Sequence, residues 1–152
     1  MRVKEKLEGT EEVLDVIRKK NRKTPIIVEG KKDVRALRRL GVKGEIIRIK
    51  TSRTVFRIIE SLREEHDEVI ILTDWDRTGG RLYHRIKRAC KANLLSYNQD
   101  IRKRLIKYTK RDIKDVESIP AFLSRLRRIV RDPYKARNKG KKDRKILNRK
   151  TQ

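Results

Sequence analysis

The chain has 152 residues, long enough for one domain with a core of its own, and 45 Lys and Arg against 21 Asp and Glu leave a net charge of +24. A field of that sign gathers polyanions; because the longest aliphatic run, Val69-Ile70-Ile71-Leu72, is too short to anchor in a membrane, nucleic acid is the expected partner and membrane is not. Cys90 is the single cysteine, which excludes an intramolecular disulfide and a multi-cysteine zinc site. The opening Met1-Arg2-Val3-Lys4-Glu5 lacks the apolar region of a secretory signal, so the cytoplasm is the expected compartment.

Along the chain, Thr10 is expected to cap a short helix carrying Val13, Leu14 and Ile17 on one face, within an N-terminal helical segment over residues 1–23. Pro25-Ile26-Ile27-Val28 reads as a buried strand that ends at Glu29-Gly30. A helix follows from Lys32 to Leu40, with Ala36, Leu37 and Leu40 inward and Gly41 as its stop. Glu45 to Lys50 reads as a second strand. Thr51 or Ser52 then caps a helix with Val55, Ile58, Ile59 and Leu62 at i, i+3, i+4 and i+7. Val69 to Thr73 is the third and most apolar strand, followed by Asp74-Trp75-Asp76 and, past Gly79-Gly80, by a helix. That helix has an apolar stripe of Leu82, Ile86, Ala89 and Cys90 and a basic side of Arg81, Arg85 and Arg88. Strands and helices alternating, with strands apolar on both faces, predict an α/β fold around a parallel sheet.

After Leu95 the pattern weakens. A helix from Gln99 to Lys110 has Ile101, Leu105 and Tyr108 on one face, and Asp115-Val116-Glu117 reads as a short last strand or its exit. Ser118 and Pro120 open a helix with Phe122, Leu123, Leu126, Ile129 and Val130 inward. Residues 24–118 thus form the α/β domain, and residues 119–152 a basic extension of one helix and a polybasic tail, which is expected to be disordered when free. Residues 101–152 hold 20 Lys and Arg against 5 acids, so Arg125, Arg128, Lys135, Arg137, Lys139, Lys141 and Lys142 are the expected main phosphate-binding surface.

Two acidic turns carry the chemistry: Glu29-Gly30-Lys31-Lys32-Asp33 after the first strand and Asp74-Trp75-Asp76-Arg77-Thr78-Gly79 after the third. In a parallel sheet both lie at the carboxyl edge, where open α/β folds bind ligands. If the two strands are neighbours, carboxylates converge there, and their repulsion is relieved when a cation shares the site. Mg²⁺, or Mn²⁺ in its place, suits such a site because it takes few carboxylate oxygens and keeps water or phosphate for the rest. Lys31, Lys32, Arg77, Arg81 and Arg85 would meet phosphates beside it. Trp75 would either stack on a base or cover the sheet edge. His66 and His84 read as surface or capping residues, and Cys90 as a small core residue.

Ile27-Val28-Glu29-Gly30-Lys31-Lys32-Asp33 paired with Ile70-Ile71-Leu72-Thr73-Asp74-Trp75-Asp76-Arg77-Thr78-Gly79 resembles the Toprim family over roughly residues 24–95. That family includes topoisomerases, bacterial-type primases, recombination proteins and nucleases, among them the bacterial nuclease that matures 5S ribosomal RNA. By position, the resemblance implies that Glu29 is the glutamate acting as general acid or base, or joining the metal shell, and that Asp74 and Asp76 are the metal-binding pair. Val116-Glu117 is similar to a Val-Glu element late in the ribosomal RNA nuclease, which adds Glu117 as a metal candidate. The lack of a separate tyrosine-bearing domain and of zinc-module cysteines disfavours topoisomerase, primase and recombination roles. The resemblance therefore implies a Mg²⁺-dependent endoribonuclease on structured RNA, ribosomal RNA or its precursor. The alternative is a non-catalytic ribosome-associated RNA-binding protein with the Toprim core as scaffold. Oligomeric state is not legible in the sequence.

Overall fold

The structure, a computed structural model, describes residues 1–49 and 54–134. Its centre is a four-stranded sheet of β1 (Ile26–Val28), β2 (Ile46–Arg48), β3 (Glu68–Ile71) and β4 (Ser96–Asn98), in the order β2-β1-β3-β4. Every pairing is parallel, with Ile26 in register with Ile46 on one side and Ile70 on the other. The central strands are apolar on both faces because both faces are covered. Ile26, Val28, Ile70 and Leu72 point to one layer, and Ile27, Val69 and Ile71 to the other.

The first layer is built by α1 (Val3–Lys20), α2 (Lys31–Arg39), α5 (Asp100–Thr109) and α6 (Ile119–Arg131). The second is built by α3 (Val55–Glu65) and α4 (Arg77–Ala92). The N-terminal helix and the C-terminal helix therefore share one core with the sheet, as Val13, Leu14 and Ile17 meet Ile119 and Leu123 in a single cluster. Gly41 closes α2 at φ +83°, a left-handed conformation that suits glycine, as its position as a stop signal predicts.

Several expectations are corrected. Thr10 is not a cap; it is fully buried inside an eighteen-residue helix. Leu7 extends the apolar face one turn earlier, and Thr10 falls on that stripe at i+3. Thr51 and Ser52 lie outside the described residues; the cap of α3 is Thr54, whose hydroxyl accepts from the Arg57 N–H at 3.4 Å. The fourth strand is Ser96–Asn98, whereas residues 115–117 form a turn. Ser96-Tyr97-Asn98 is a half-exposed edge strand of three residues in which only Tyr97 favours a strand, so its propensity signal is weak. Val130 is 42% exposed, because α6 buries the Phe122, Leu123 and Leu126 stripe and turns Val130 away from it. The polybasic tail, with Lys135, Arg137, Lys139, Lys141 and Lys142, lies outside the described residues.

Candidate active site

β1 and β3 are neighbours, and the chain leaves them towards opposite layers: α2 follows β1 on one face and α4 follows β3 on the other. Such a divergence opens a crevice at the carboxyl ends of the two strands. Glu29 and Asp74 sit on its two sides, joined by the Asp74 N–H, which donates to Glu29 Oε1 at 3.3 Å. Asp74 Oδ1 accepts from the Val116 N–H at 3.1 Å. Asp76 caps α4, its Oδ1 accepting from the Gly79 N–H at 2.7 Å. Each aspartate thus has one oxygen fixed by backbone.

Gly79 makes this turn possible. A Cβ there would stand 2.9 Å from the Asp74 Cα and closer still to its carbonyl, so only glycine lets the first turn of α4 close over Asp74. The buried Thr73 hydroxyl donates to the Gly79 carbonyl at 2.9 Å and ties the same turn from below.

Two further carboxylates lie near enough for Asp74 to feel their charge. Asp33, 6% exposed in the first turn of α2, accepts from the Gly30 N–H at 3.1 Å. Asp115 accepts from the Ser118 N–H at 2.8 Å. Burial, with the neighbouring charges of Asp33, Glu29 and Asp115, pushes the Asp74 carboxyl up to about 7, against the lowering effect of the Val116 N–H. Asp33 is also raised, by burial first and then by Asp115 and Glu117. Beneath the edge, Arg102 donates to the Thr73 carbonyl at 2.9 Å and the Asp74 carbonyl at 2.8 Å, with its guanidinium over the Tyr83 ring. Its hydrogen bonds go to carbonyls and brace the loop, while its charge acts on Asp74, Glu29 and Asp76.

A Toprim domain model matches residues 24–117, the stretch that runs from the start of β1 to the turn holding Asp115. The chain belongs to the Toprim family. Small relatives agree: the UPF0292 protein of Methanosarcina barkeri is 37% identical over 82% of this chain and 87% of its own length. The UPF0292 protein of Methanocaldococcus jannaschii is 35% identical over 82% of this chain and 98% of its own. Among solved structures, a putative protein from Aquifex aeolicus superposes with a TM-score of 0.63 at 25% identity, covering 72% of this chain and 96% of that one. Toprim domains are metal-binding, with nuclease or primase-like chemistry at the level of the family, and typically hold Mg²⁺ through acidic residues.

Within this Toprim fold, Glu29 and Asp74 are joined by a hydrogen bond at the carboxyl edge, and Asp76 caps α4 two residues further along. Glu117 is exposed and stands 3.9 Å from Lys32 Nζ; it faces Asp33, whereas the carboxylates facing Asp74 are Asp33, Glu29 and Asp115. Lys31, Arg77, Arg81 and Arg85 are exposed beside the edge and along α4. Arg125 is held 3.4 Å from Asp112, and Arg128 is exposed on α6. Trp75 covers the sheet edge: its indole N–H donates to the Ile113 carbonyl at 2.8 Å and its ring packs on the core. Cys90 is buried, and burial pushes its thiol up to about 11. Asp33, Asp115 and Arg102 were not singled out from sequence. Asp33 belongs to the acidic turn after β1, whereas Arg102 sits beside the apolar stripe of α5 and offers no local signal that it reaches β3.

The donor set suits a hard divalent cation. Among the described residues no three acidic, His or Cys side chains converge as a ready-made cage, yet carboxylates crowd Asp74 enough to hold its proton near neutrality. Mg²⁺ asks for few protein ligands and would relieve that crowding. Without metal, the folded carboxyl titrates near 7 and the unfolded one near 3.8. Between those values the folded chain keeps a proton that the unfolded chain has lost, so stability falls as pH rises through the window. Thermal melts in EDTA are therefore expected to show a lower Tm at about pH 8 than at about pH 5.5, and Mg²⁺ is expected to recover part of the loss at the higher pH.

Proposed function

We propose that this protein is a divalent-metal-dependent endoribonuclease acting on structured RNA, ribosomal RNA or its precursor. The observation that carries the reading is Asp74, a carboxylate crowded by Glu29, Asp33 and Asp115 in a chain of net charge +24. So acidic a notch in so basic a protein is costly unless a cation and a phosphate backbone meet there.

Asp74 and Asp76, with Glu29, would hold the cation. When bound, it would polarise the scissile phosphate and offset the charge that develops in an in-line displacement. The chain's own residues do the rest. Glu29 positions Asp74 through its backbone N–H, and the Asp76 cap keeps its carboxylate at the mouth of α4. The N-termini of α2 and α4 both open at this edge, where the helix dipoles favour an anion. Lys31 and Arg77, the first residues of these helices, flank the same phosphate path.

A second reading is a non-catalytic ribosome-associated RNA-binding protein on a Toprim scaffold. It is favoured by the backbone bonds of Asp74 and Asp76, which two purely structural turn carboxylates would also make. A labelled structured ribosomal RNA precursor incubated with Mg²⁺, with Mn²⁺ or with EDTA tests the choice. Scission at defined positions with either metal and none in EDTA is the result expected; tight binding with no scission under any condition supports the scaffold instead.

Affinity in either case should come chiefly from phosphate contacts. Log affinity is expected to fall linearly with log salt, with a slope of about −0.7 to −0.9 per phosphate neutralised. Removing residues 135–152, with nine Lys and Arg over 135–150, is expected to flatten that slope in a salt titration and weaken binding to most sequences alike.

A further inference from the structure

Behind the acidic edge, α3 and α4 leave a groove of about 400 Å³ between them. Its floor is apolar, made by Val55 of α3 with Ala89 and Ala92 of α4. Phe56 stands at its wall and is 49% exposed, one of few large apolar side chains left to solvent among the described residues. Thr54, Arg85 and Arg88 complete the lining.

These two arginines end a longer stripe. Arg77, Arg81, Arg85 and Arg88 follow one another at i, i+4, i+8 and i+11 on α4, within an arc of about 80° at 100° per residue. All four are exposed, and among the described residues none has an ion-pair or hydrogen-bond partner. The stripe begins next to Asp76 and reaches the groove about 14 to 18 Å further along the helix. At roughly 3.4 Å per nucleotide, that is the length of about four or five stacked nucleotides.

We infer that the α3–α4 groove is a subsite for an unpaired RNA nucleotide, whose base stacks on Phe56 while its phosphates lie on Arg85 and Arg88 and the strand runs along Arg81 and Arg77 to the acidic edge. This rests on the proposed function and extends it: the RNA is engaged as a single strand a few nucleotides from the point of scission. An aromatic face flanked by cations on a largely apolar lining matches a base with its phosphates, because every base offers a π-face and every linkage a negative charge. A second copy of this chain would bring the same cationic stripe against itself. A duplex would keep its bases stacked inward and offer Phe56 nothing.

Binding is measured in EDTA, so it reads the groove whether or not the edge cuts. The probes are a fluorescent single-stranded oligoribonucleotide and a blunt RNA duplex of equal length. Phe56→Ala is expected to weaken single-strand binding about 5- to 100-fold while leaving the duplex unchanged, and Phe56→Tyr to keep single-strand affinity. Arg85→Ala is expected to weaken the single strand and lower its salt slope by about one contact. Melting curves confirm that each variant is folded; Phe56→Tyr keeps the ring and controls for damage by the alanine. Unchanged single-strand affinity in Phe56→Ala would overturn the assignment, as would an equal loss on single strand and duplex. Wild-type self-association that Phe56→Ala abolishes would overturn it in favour of an interface between copies.

Discussion

Asp74→Asn is expected to make the metal-free protein more stable at about pH 8 and, in the same molecule, to remove cleavage. Asn keeps the shape of the side chain and an oxygen for the Val116 N–H. It removes the one charge that burial and three neighbouring carboxylates oppose. The full shift, from 3.8 to about 7, would correspond to about 4 kcal/mol at 1.36 kcal/mol per unit. Asp74 is only half-buried, so solvent screening reduces this to about 1–2 kcal/mol, a rise in Tm of several degrees. Because the ionised form is the one destabilised, the gain should vanish in melts at about pH 5, where wild type carries the proton. Cleavage should fall about 1,000-fold or more, since a displaced metal removes several kcal/mol of transition-state stabilisation. A site that costs stability and supplies activity behaves in this way; a structural turn carboxylate would lose stability on the same substitution.

Gly79→Ala is expected to damage both properties. The added methyl would meet the Asp74 carbonyl and Cα, which are backbone and cannot rotate away. The helix would gain up to about 1 kcal/mol from propensity at this position, but forcing the turn apart costs about 3 kcal/mol or more, so a net loss of about 2 kcal/mol is expected in urea unfolding. The turn that opens is the one that fixes Asp74 against Asp76, so cleavage should fall even in the fraction that remains folded. Gly80→Ala is the control, because nothing lies within 4 Å of a Cβ there.

Most of the core of this fold was legible because its strands are short apolar runs and its helices have clean stripes. β1, β3 and the register of α3 and α4 follow from Ile26-Ile27-Val28, Val69-Ile70-Ile71-Leu72 and the 55, 58, 59, 62 spacing. What sequence could not give was long-range. β4 is an edge strand whose Ser96-Tyr97-Asn98 is shaped by its neighbour and not by its own propensity. α1 is longer than its obvious apolar face because Thr10, a polar residue, is accommodated in the core. The placement of Glu29, Asp74 and Asp76 at the carboxyl edge follows from their position just after apolar strands. Asp115 and Arg102 were not legible, since each reaches the end of β3 from an element about 30 or more residues away along the chain, and only folding makes them neighbours.

Chemistry at the acidic edge and affinity on the basic surface should separate in one comparison. Asp76→Asn keeps the α4 cap, because Asn is as good a cap as Asp, and loses only charge. A gel assay of labelled ribosomal RNA precursor with Mg²⁺ or Mn²⁺, run beside filter-binding curves on the same preparations, measures both at once. Wild type is expected to cut, and Asp76→Asn to bind as tightly or slightly more tightly while cutting about 1,000-fold more slowly. Wild type and Asp76→Asn that bind alike and are equally inert, or that cut alike, would contradict a metal-dependent nuclease centred on Asp74 and Asp76.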